Sequence, residues 1–410
     1  MLSIGQQRKI LIVAAALFFL GLGYVTVLRA TKAFKRTDFT VYIAAAHSVL
    51  RGGEDLYQLT NERGWNYNYP PLFAVVMVPF AMMSLFWAAL TWYVVSLLLA
   101  ASAVRMCVAM VRDHSIQTSE LVLYALPPCL IGWPLMSALT RGQASVLLLW
   151  LVVAAVFYNW KGREILGGAC LAGAVVVKVF PLTLLAYFVW RRRWRFAAAT
   201  LAGIAFGVFV LPAAVLGWKG NLAQLHQWVT VVAKPALHVE AADRQSQRYT
   251  ELLDPHKSRN QSLPAVVGRL SGARRIREIA AGISLVMAGV VVAVGRRSEK
   301  GSEVLIVSAA LAWMLLVPPV SETHYFVLLL LPLTSLVLVA SQETEPTTRW
   351  LARIPMILFA VLNVVGKPLE YYGPMFWGTL VLWGVLVSSA MRVATRSMWK
   401  TMLTPPATIH

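Results

Sequence analysis

Carboxylates are scarce in this sequence. Only 18 of its 410 residues are Asp or Glu, against 37 Lys and Arg, and charged residues of both signs make up 13%. A soluble globular chain carries roughly 25%. No polar stretch between the apolar runs is long enough for a sizeable soluble domain. Cysteine is nearly absent too. Cys107, Cys129 and Cys170 lie in apolar segments and form no CxxC, so they read as small core residues, with no disulfide framework and no zinc site. HExxH, paired-histidine zinc spacing, a Walker loop and GxSxG are all missing. ATP-driven chemistry, zinc proteolysis and serine hydrolysis lose support accordingly. The sparse carboxylates require no metal, and no motif asks for a cofactor.

Apolar residues fill the space left by charge. They make up 58% of the chain, and its mean hydropathy is +0.65. Runs of about 20 apolar residues recur from end to end, which predicts an all-α, polytopic transmembrane bundle. A membrane β-barrel would instead show alternation in segments of about 10 residues. The net charge of +19 sits in short clusters beside apolar runs, the pattern of cytoplasmic anchoring, with anionic lipids as partner and no nucleic acid. The run Ile10–Leu28 after "QQRK" reads as an uncleaved signal anchor.

The anchors "RRRWR" (Arg191–Arg195), "GRRSEK" (Gly295–Lys300) and "MRVATRSMWK" (Met391–Lys400) are expected inside. Two arrangements each give about 12 crossings with both termini cytoplasmic. In one, 71–111 crosses once, with 71–83 as an interfacial half-helix, and 164–178 with 179–190 forms a short hairpin. In the other, 71–111 crosses twice and 164–190 once. The first keeps Arg105, Arg112, Lys161 and Arg163 inside, so the charge rule favours it. Both put 30–70, about 217–275, and the turns near Val320–His324 and Lys367–Pro374 on the outer face. No transporter-type internal repeat is visible. "TPPATIH" reads as a disordered end to a cytoplasmic tail over 395–410.

Candidate chemistry lies at the outer boundaries. From Phe39, apolar residues at Phe39, Tyr42, Ala46, Val49 and Leu50 suit an amphipathic helix on the membrane surface, ended by "RGG". Asp38 opens it, and the spacing favours an N-cap there, shared with Thr37. The double proline of "NYNYPPLF" launches a helix at the interface, and Tyr69 is placed for ligand contact or for an aromatic belt. Arg141, in "TRGQ", suits either headgroup snorkelling or a phosphate. Lys178 stands inside "AVVVKVFPLTLL", three residues before Pro181. An intramembrane cation is costly and by default marks a functional site, with an anionic headgroup as the simplest partner; the alternative is a lysine that snorkels at the tip of a short hairpin. Asn260 and Gln261, in "RNQS", match a glycosylation pattern or offer amides to sugar hydroxyls. Glu322 and His324 lie at an outer span junction, where histidine is commonly interfacial but can serve a phosphate or act as a base.

The order "DFTVYIAAAHSVLRGGEDLY", "YNYPPLFAVVMVPFAMM", "RGQASVLLLWLVVAAVF", "GACLAGAVVVKVFPLTLLAYFVWRRRWR", "NQSL" and "HYFVLLLLP" resembles glycosyltransferase family 87, integral-membrane enzymes of GT-C type. The resemblance covers about residues 10–340 of one membrane domain. It leaves 341–394 as additional C-terminal spans. It implies a polyprenyl-phosphate sugar donor, commonly mannose, no nucleotide sugar, and transfer with inversion to a glycolipid or glycan on the outer face of the inner (cell) membrane. It also implies Asp38 as the catalytic base, Lys178 with Pro181 as the K-x-x-P element, Gly142 and Gln143 as the GQ element, and His324 as the late histidine. Ala144 and Ser145 stand where the family often has Asn after GQ. Lys178, Arg141 and His324 would then hold the donor phosphate, with Gln143, Tyr69, Asn260, Gln261 and Glu322 as further substrate contacts. Arabinofuranose as the sugar is an alternative. A transporter or flippase of lipid-linked sugars is an alternative of another class.

Overall fold

The computed structural model describes residues 4–32, 35, 37–112, 119–234, 257–272, 275–296, 302–342 and 345–403. The chain is all-helical, with no strand among the described residues beyond two isolated bridges. In hydrocarbon each backbone polar group needs an internal partner, and a helix supplies one. Seven helices among the described residues are long and apolar enough to cross a membrane, or eight if one bent pair is a single span, and four shorter apolar helices lie among them. This is a polytopic helical membrane protein. The expected count of about 12 therefore needs the bent pair and all four short helices.

The first helix is α1 (Ile4–Thr31), followed by α2 (Asp38–Leu50). Residues 71–83 form two single-turn pieces, α3 (Pro71–Val76) and α4 (Val78–Ala81), and do not span. After a break at Met82–Ser84, α5 (Leu85–Arg112) runs for 28 residues, about 42 Å. That exceeds the ~30 Å hydrocarbon core. The single-crossing reading of this segment matches.

The apolar stretch 119–138 is not one straight helix. Helices α6 (Glu120–Leu130) and α7 (Gly132–Arg141) meet at 65°. Pro127, Pro128 and Pro134 remove three amide donors around the bend. Asn363, from helix Pro346–Val365, repairs it. Its Oδ1 accepts from the Trp133 amide and its Nδ2 donates to the Cys129 carbonyl, both at 2.7 Å. The bend aims the end of α7, with Arg141, toward α2.

Next come α8 (Ser145–Trp160), α9 (Glu164–Val177), a 3-10 turn at Phe180–Leu182, α10 (Thr183–Trp190) and α11 (Trp194–Ala205). Glu164, opening α9, pairs with Arg193 beyond α10 at 3.3 Å, so the chain doubles back as the hairpin reading expects. Arg191 and Arg193 also reach Glu303, at 3.4 and 3.8 Å. Lys178 lies at the hairpin tip. Helix α11 lies parallel to α9 and close: a Cβ added at Gly168 would come within 2.4 Å of the Phe196 carbonyl oxygen. Small residues permit such backbone approach in membranes.

The expected outer loop from 217 begins as helix. Helix α12 (Leu211–Trp228) kinks at Gly217 (φ 71°, ψ 161°), and helical structure continues to Lys234. The stretch 235–256 lies outside the described residues, as do 297–300 of the "GRRSEK" anchor. The last helix, Pro374–Leu403, takes in the start of the expected tail. Residues 404–410 lie outside the description. Burial sorts the bundle: the Thr323–Ser341 segment is 83% buried, whereas the long Trp194–Ala233 segment is 17% buried. His324 therefore stands at the head of the central element, and α11–α12 lies at the periphery.

Candidate active site

Helix α2 starts at Asp38, but the cap expected there is not made. Thr37 holds the extended cap position (φ −129°, ψ −174°), and neither side chain caps an amide. Thr40 Oγ1 donates to the Thr37 carbonyl at 2.8 Å, and Asn61 Nδ2 donates to Thr40 Oγ1 at 3.2 Å. The helix is also not a surface lath. Phe39, Val41, Tyr42, Ile43, Ala45, Ala46 and Val49 are all buried, along with Thr40 and Ser48. Its hydroxyls are satisfied within the protein, Ser48 by Asp55, so the polar face can be buried as well.

Asp38 is left with a carboxylate that structure alone does not use. Its Oδ2 is shielded from solvent and has no hydrogen-bond partner. The neighbouring side chain is Gln143, which favours the ionised carboxyl. Tyr42 donates to Gln143 Oε1 at 3.1 Å and Tyr69 at 3.3 Å, and the two phenols are 2.8 Å apart. With its oxygen taken by tyrosines, Gln143 presents its NH2 to Asp38. Asp38 lies outside the spanning segments. Burial pushes its carboxyl above the ordinary carboxylate value, Arg141 opposes that, Glu322 adds to it, and Gln143 and Lys178 oppose it. A buried carboxyl so perturbed, with one oxygen unpartnered, is suited to proton transfer.

The Gly142–Gln143 pair has a clear local cause. Gly142 ends α7 in the left-handed region (φ 62°), and a Cβ there would sit 2.7 Å from Phe39 Cβ. Trp92 Nε1 donates to the Gly142 carbonyl at 2.9 Å. Glycine thus lets the turn press onto α2 and delivers Gln143 to Asp38.

Lys178 caps the end of α9 in an extended conformation (φ −144°, ψ 131°). Its Nζ is 3.7 Å from the Tyr325 ring centroid and 5.3 Å from that of Tyr69. Tyr325 stacks on Phe180 at 5.4 Å. Aromatic faces hold the ammonium, and among the described residues no carboxylate forms an ion pair with it. The cation stays available to an anion.

Glu322 bridges two other candidates. Its Oε2 is 3.4 Å from His324 Nδ1 and 3.8 Å from Arg141 Nη1. His324 is 2% exposed, which removes it from the ordinary interfacial class. Asn260 and Gln261 are buried and committed to backbone. Asn260 Oδ1 accepts from the Ser262 and Ser321 amides, and its Nδ2 donates to the Pro319 carbonyl. Gln261 Nε2 donates to the Ser258 and Glu370 carbonyls, and its Oε1 accepts from the Met375 amide. These amides brace the segment that carries Glu322.

A cavity of about 340 Å³ opens beside Thr37, next to Asp38. Six cations line it: Arg29, Lys35, Arg63, Arg141, Arg259 and Lys367. Trp65 is the aromatic wall, with Arg63 at 4.7 Å and Arg141 at 5.9 Å from its ring centroid. Of these, sequence reading singled out Arg141 alone. Tyr42 and Tyr325 were missed as well, because each looks like an ordinary apolar-face or belt aromatic. Tyr325 stands directly after His324, which was the available signal. Among the described residues no group of His, Cys, Asp and Glu is arranged to hold a metal.

A helical membrane bundle that fixes one underused carboxylate beside aromatic-held and clustered cations has the makings of a membrane transferase of anionic substrates. The sequence profile of glycosyltransferase family 87 matches residues 67–332, and the chain belongs to that family; it is a membrane glycosyltransferase. The match takes in Tyr69, Arg141, Gln143, Lys178, Asn260, Gln261, Glu322 and His324, and begins after Asp38. The chain is also similar to the polyprenol-phosphate-mannose-dependent alpha-(1-2)-phosphatidylinositol mannoside mannosyltransferase of Mycobacterium tuberculosis. The two are 26% identical over 318 residues, 72% of this chain and 68% of that protein.

Proposed function

We propose that this enzyme transfers a mannosyl group from a polyprenyl phosphate to a glycolipid or glycan acceptor on the outer face of the cell membrane, with inversion. The observation that carries this reading is the buried Asp38 Oδ2 without a hydrogen-bond partner, on a carboxyl that feels Gln143 and Lys178. The donor and sugar are supported by the name of the mycobacterial relative.

The acceptor hydroxyl oxygen attacks the anomeric carbon, and its proton passes to Asp38 as general base. The bond from that carbon to the phosphate oxygen breaks, and the lipid phosphate leaves with the electron pair. It departs as an anion and needs cations more than an acid. Lys178 meets it first, with Arg141 and His324 behind, both oriented by Glu322. Tyr69 and Gln143 act through Asp38 and Lys178, whereas Asn260 and Gln261 position the Glu322 segment. A retaining double displacement of the glycosidase kind needs a second free carboxylate about 5 Å away. Glu322, the nearby candidate, already serves Arg141 and His324.

The test is transfer from labelled polyprenyl-phosphate mannose by purified enzyme in lipid, with the arabinofuranosyl donor run in parallel. Wild type is expected to use the mannosyl donor, and Lys178→Ala to lose about 10²-fold in kcat/KM, the scale of one lost charge-stabilising donor. Turnover with the arabinofuranosyl donor alone would overturn the choice of sugar.

A further inference from the structure

The basic cavity has no role in the chemistry above. The donor is a phosphodiester with one negative charge, and Lys178 answers it from the hairpin tip. Lys178 does not line the cavity, and the two sets of cations share only Arg141. Among the cavity cations, Glu322 pairs with Arg141 at 3.8 Å. Among the described residues that line the cavity, none is acidic. Like charges gathered in one concavity repel, and the arrangement becomes favourable when an anion enters. The volume lies at the lower end of the ~300–1,000 Å³ range of small-ligand sites. Trp65 offers a flat face of the kind that stacks on a sugar ring. Thr37, on the wall, directly precedes Asp38 in the chain, and Arg141, also on the wall, acts on the Asp38 carboxyl electrostatically, so the cavity and the base share neighbours.

We propose that this cavity is an acceptor subsite for an anionic sugar: the acceptor carries a phosphate or a carboxylate close to the hydroxyl that is glycosylated. Arg63, Arg259 and Lys367 bind the anion, Arg141 joins the subsite to the donor side, and Trp65 supports the ring. The proposal rests on the transferase reading and adds what the acceptor must look like.

The test uses three probes with purified full-length enzyme: octyl α-mannoside, octyl α-mannoside 6-phosphate and octyl α-mannosiduronic acid. Binding is measured by calorimetry and transfer by product assay. At least one charged probe is expected to bind about tenfold more tightly than the neutral one, the scale of one or two charge-assisted hydrogen bonds. Comparing phosphate with carboxylate identifies which anion the subsite takes. The preference should shrink between about 50 and 500 mM salt, since charges at a solvent-open cavity are screened. Combined Arg63→Ala, Arg259→Ala and Lys367→Ala should bring the ratio of charged to neutral binding near one, and the three-lysine counterpart (Arg63→Lys and Arg259→Lys, with Lys367 kept) should retain most of it. Equal binding of neutral and charged probes by wild type overturns the proposal, and that measurement does not depend on any variant folding. Transfer without charge preference sinks the subsite and spares the transferase. Charge-selective binding with no transfer from any polyprenyl-phosphate donor sinks the donor assignment and spares the subsite.

Discussion

At the scale of single residues, the proposed base Asp38 sets function against stability. Its folded carboxyl holds a proton more tightly than the ordinary value of 3.8, chiefly through burial. The native state therefore binds more protons than the unfolded one, so this group favours folding at low pH, and the benefit is lost as pH rises through the folded value. Asp38→Asn should accordingly melt no lower than wild type at neutral pH, and higher if the burial cost dominates. The difference should vanish below the ordinary carboxylate range; melting curves across pH check this. The same substitution should cut kcat by about 10³-fold, within the range for a lost general base. In wild type, the acid limb of kcat/KM should fall above 3.8, on the side to which burial moves the group. A limb below it would contradict the burial argument.

At the scale of elements, the site depends on two joints in the chain. Gly142→Ala adds a Cβ within 2.7 Å of Phe39 at a positive φ. A destabilisation of about 1–3 kcal/mol is expected from the strained backbone alone, with kcat falling as Gln143 retreats from Asp38. Asn363→Leu leaves the Trp133 amide and the Cys129 carbonyl unpaired at the bend of α6 and α7. Both bonds lie toward the surface of the bundle, so about 1 kcal/mol per lost hydrogen bond is the expected cost, read as a lower melting temperature; an unchanged melting temperature would show that water replaces the bond. These joints explain what the sequence showed and what it hid. Hydropathy and charge located the helices, the α9–α10 hairpin and the half-helix at 71–83, because length and charge leave direct marks on composition. The bend at Ile131 and the burial of α2 left no such mark. Each depends on polar partners, Asn363 in one case and Asn61 and Asp55 in the other, that are distant or ambiguous in sequence. Likewise Asp38, Lys178, Arg141 and His324 were visible as charges in apolar surroundings. The tyrosines that orient Gln143 and hold Lys178 were hidden among ordinary aromatics, and the cavity cations come from five separate stretches of chain.

At the scale of the whole molecule, the hairpin gives the bundle its polarity. Lys161 and Arg191 lie at one end of the short helices, and Lys178, Asp38 and the basic cavity lie at the other. Single cysteines at Lys161 and Arg63 should therefore label from opposite sides of sealed vesicles, with Arg63→Cys reached from outside. Labelling of both from one side would overturn the outer-face assignment. The account as a whole rests on one carboxylate acting on a lipid-linked sugar at that face. Its most direct measurement is transfer of label from polyprenyl-phosphate mannose by enzyme in proteoliposomes, comparing wild type with Asp38→Asn at equal protein and with donor binding measured alongside. The expected result is turnover in wild type and loss of about 10³-fold in the variant, with donor binding retained. Full activity in Asp38→Asn would contradict the account.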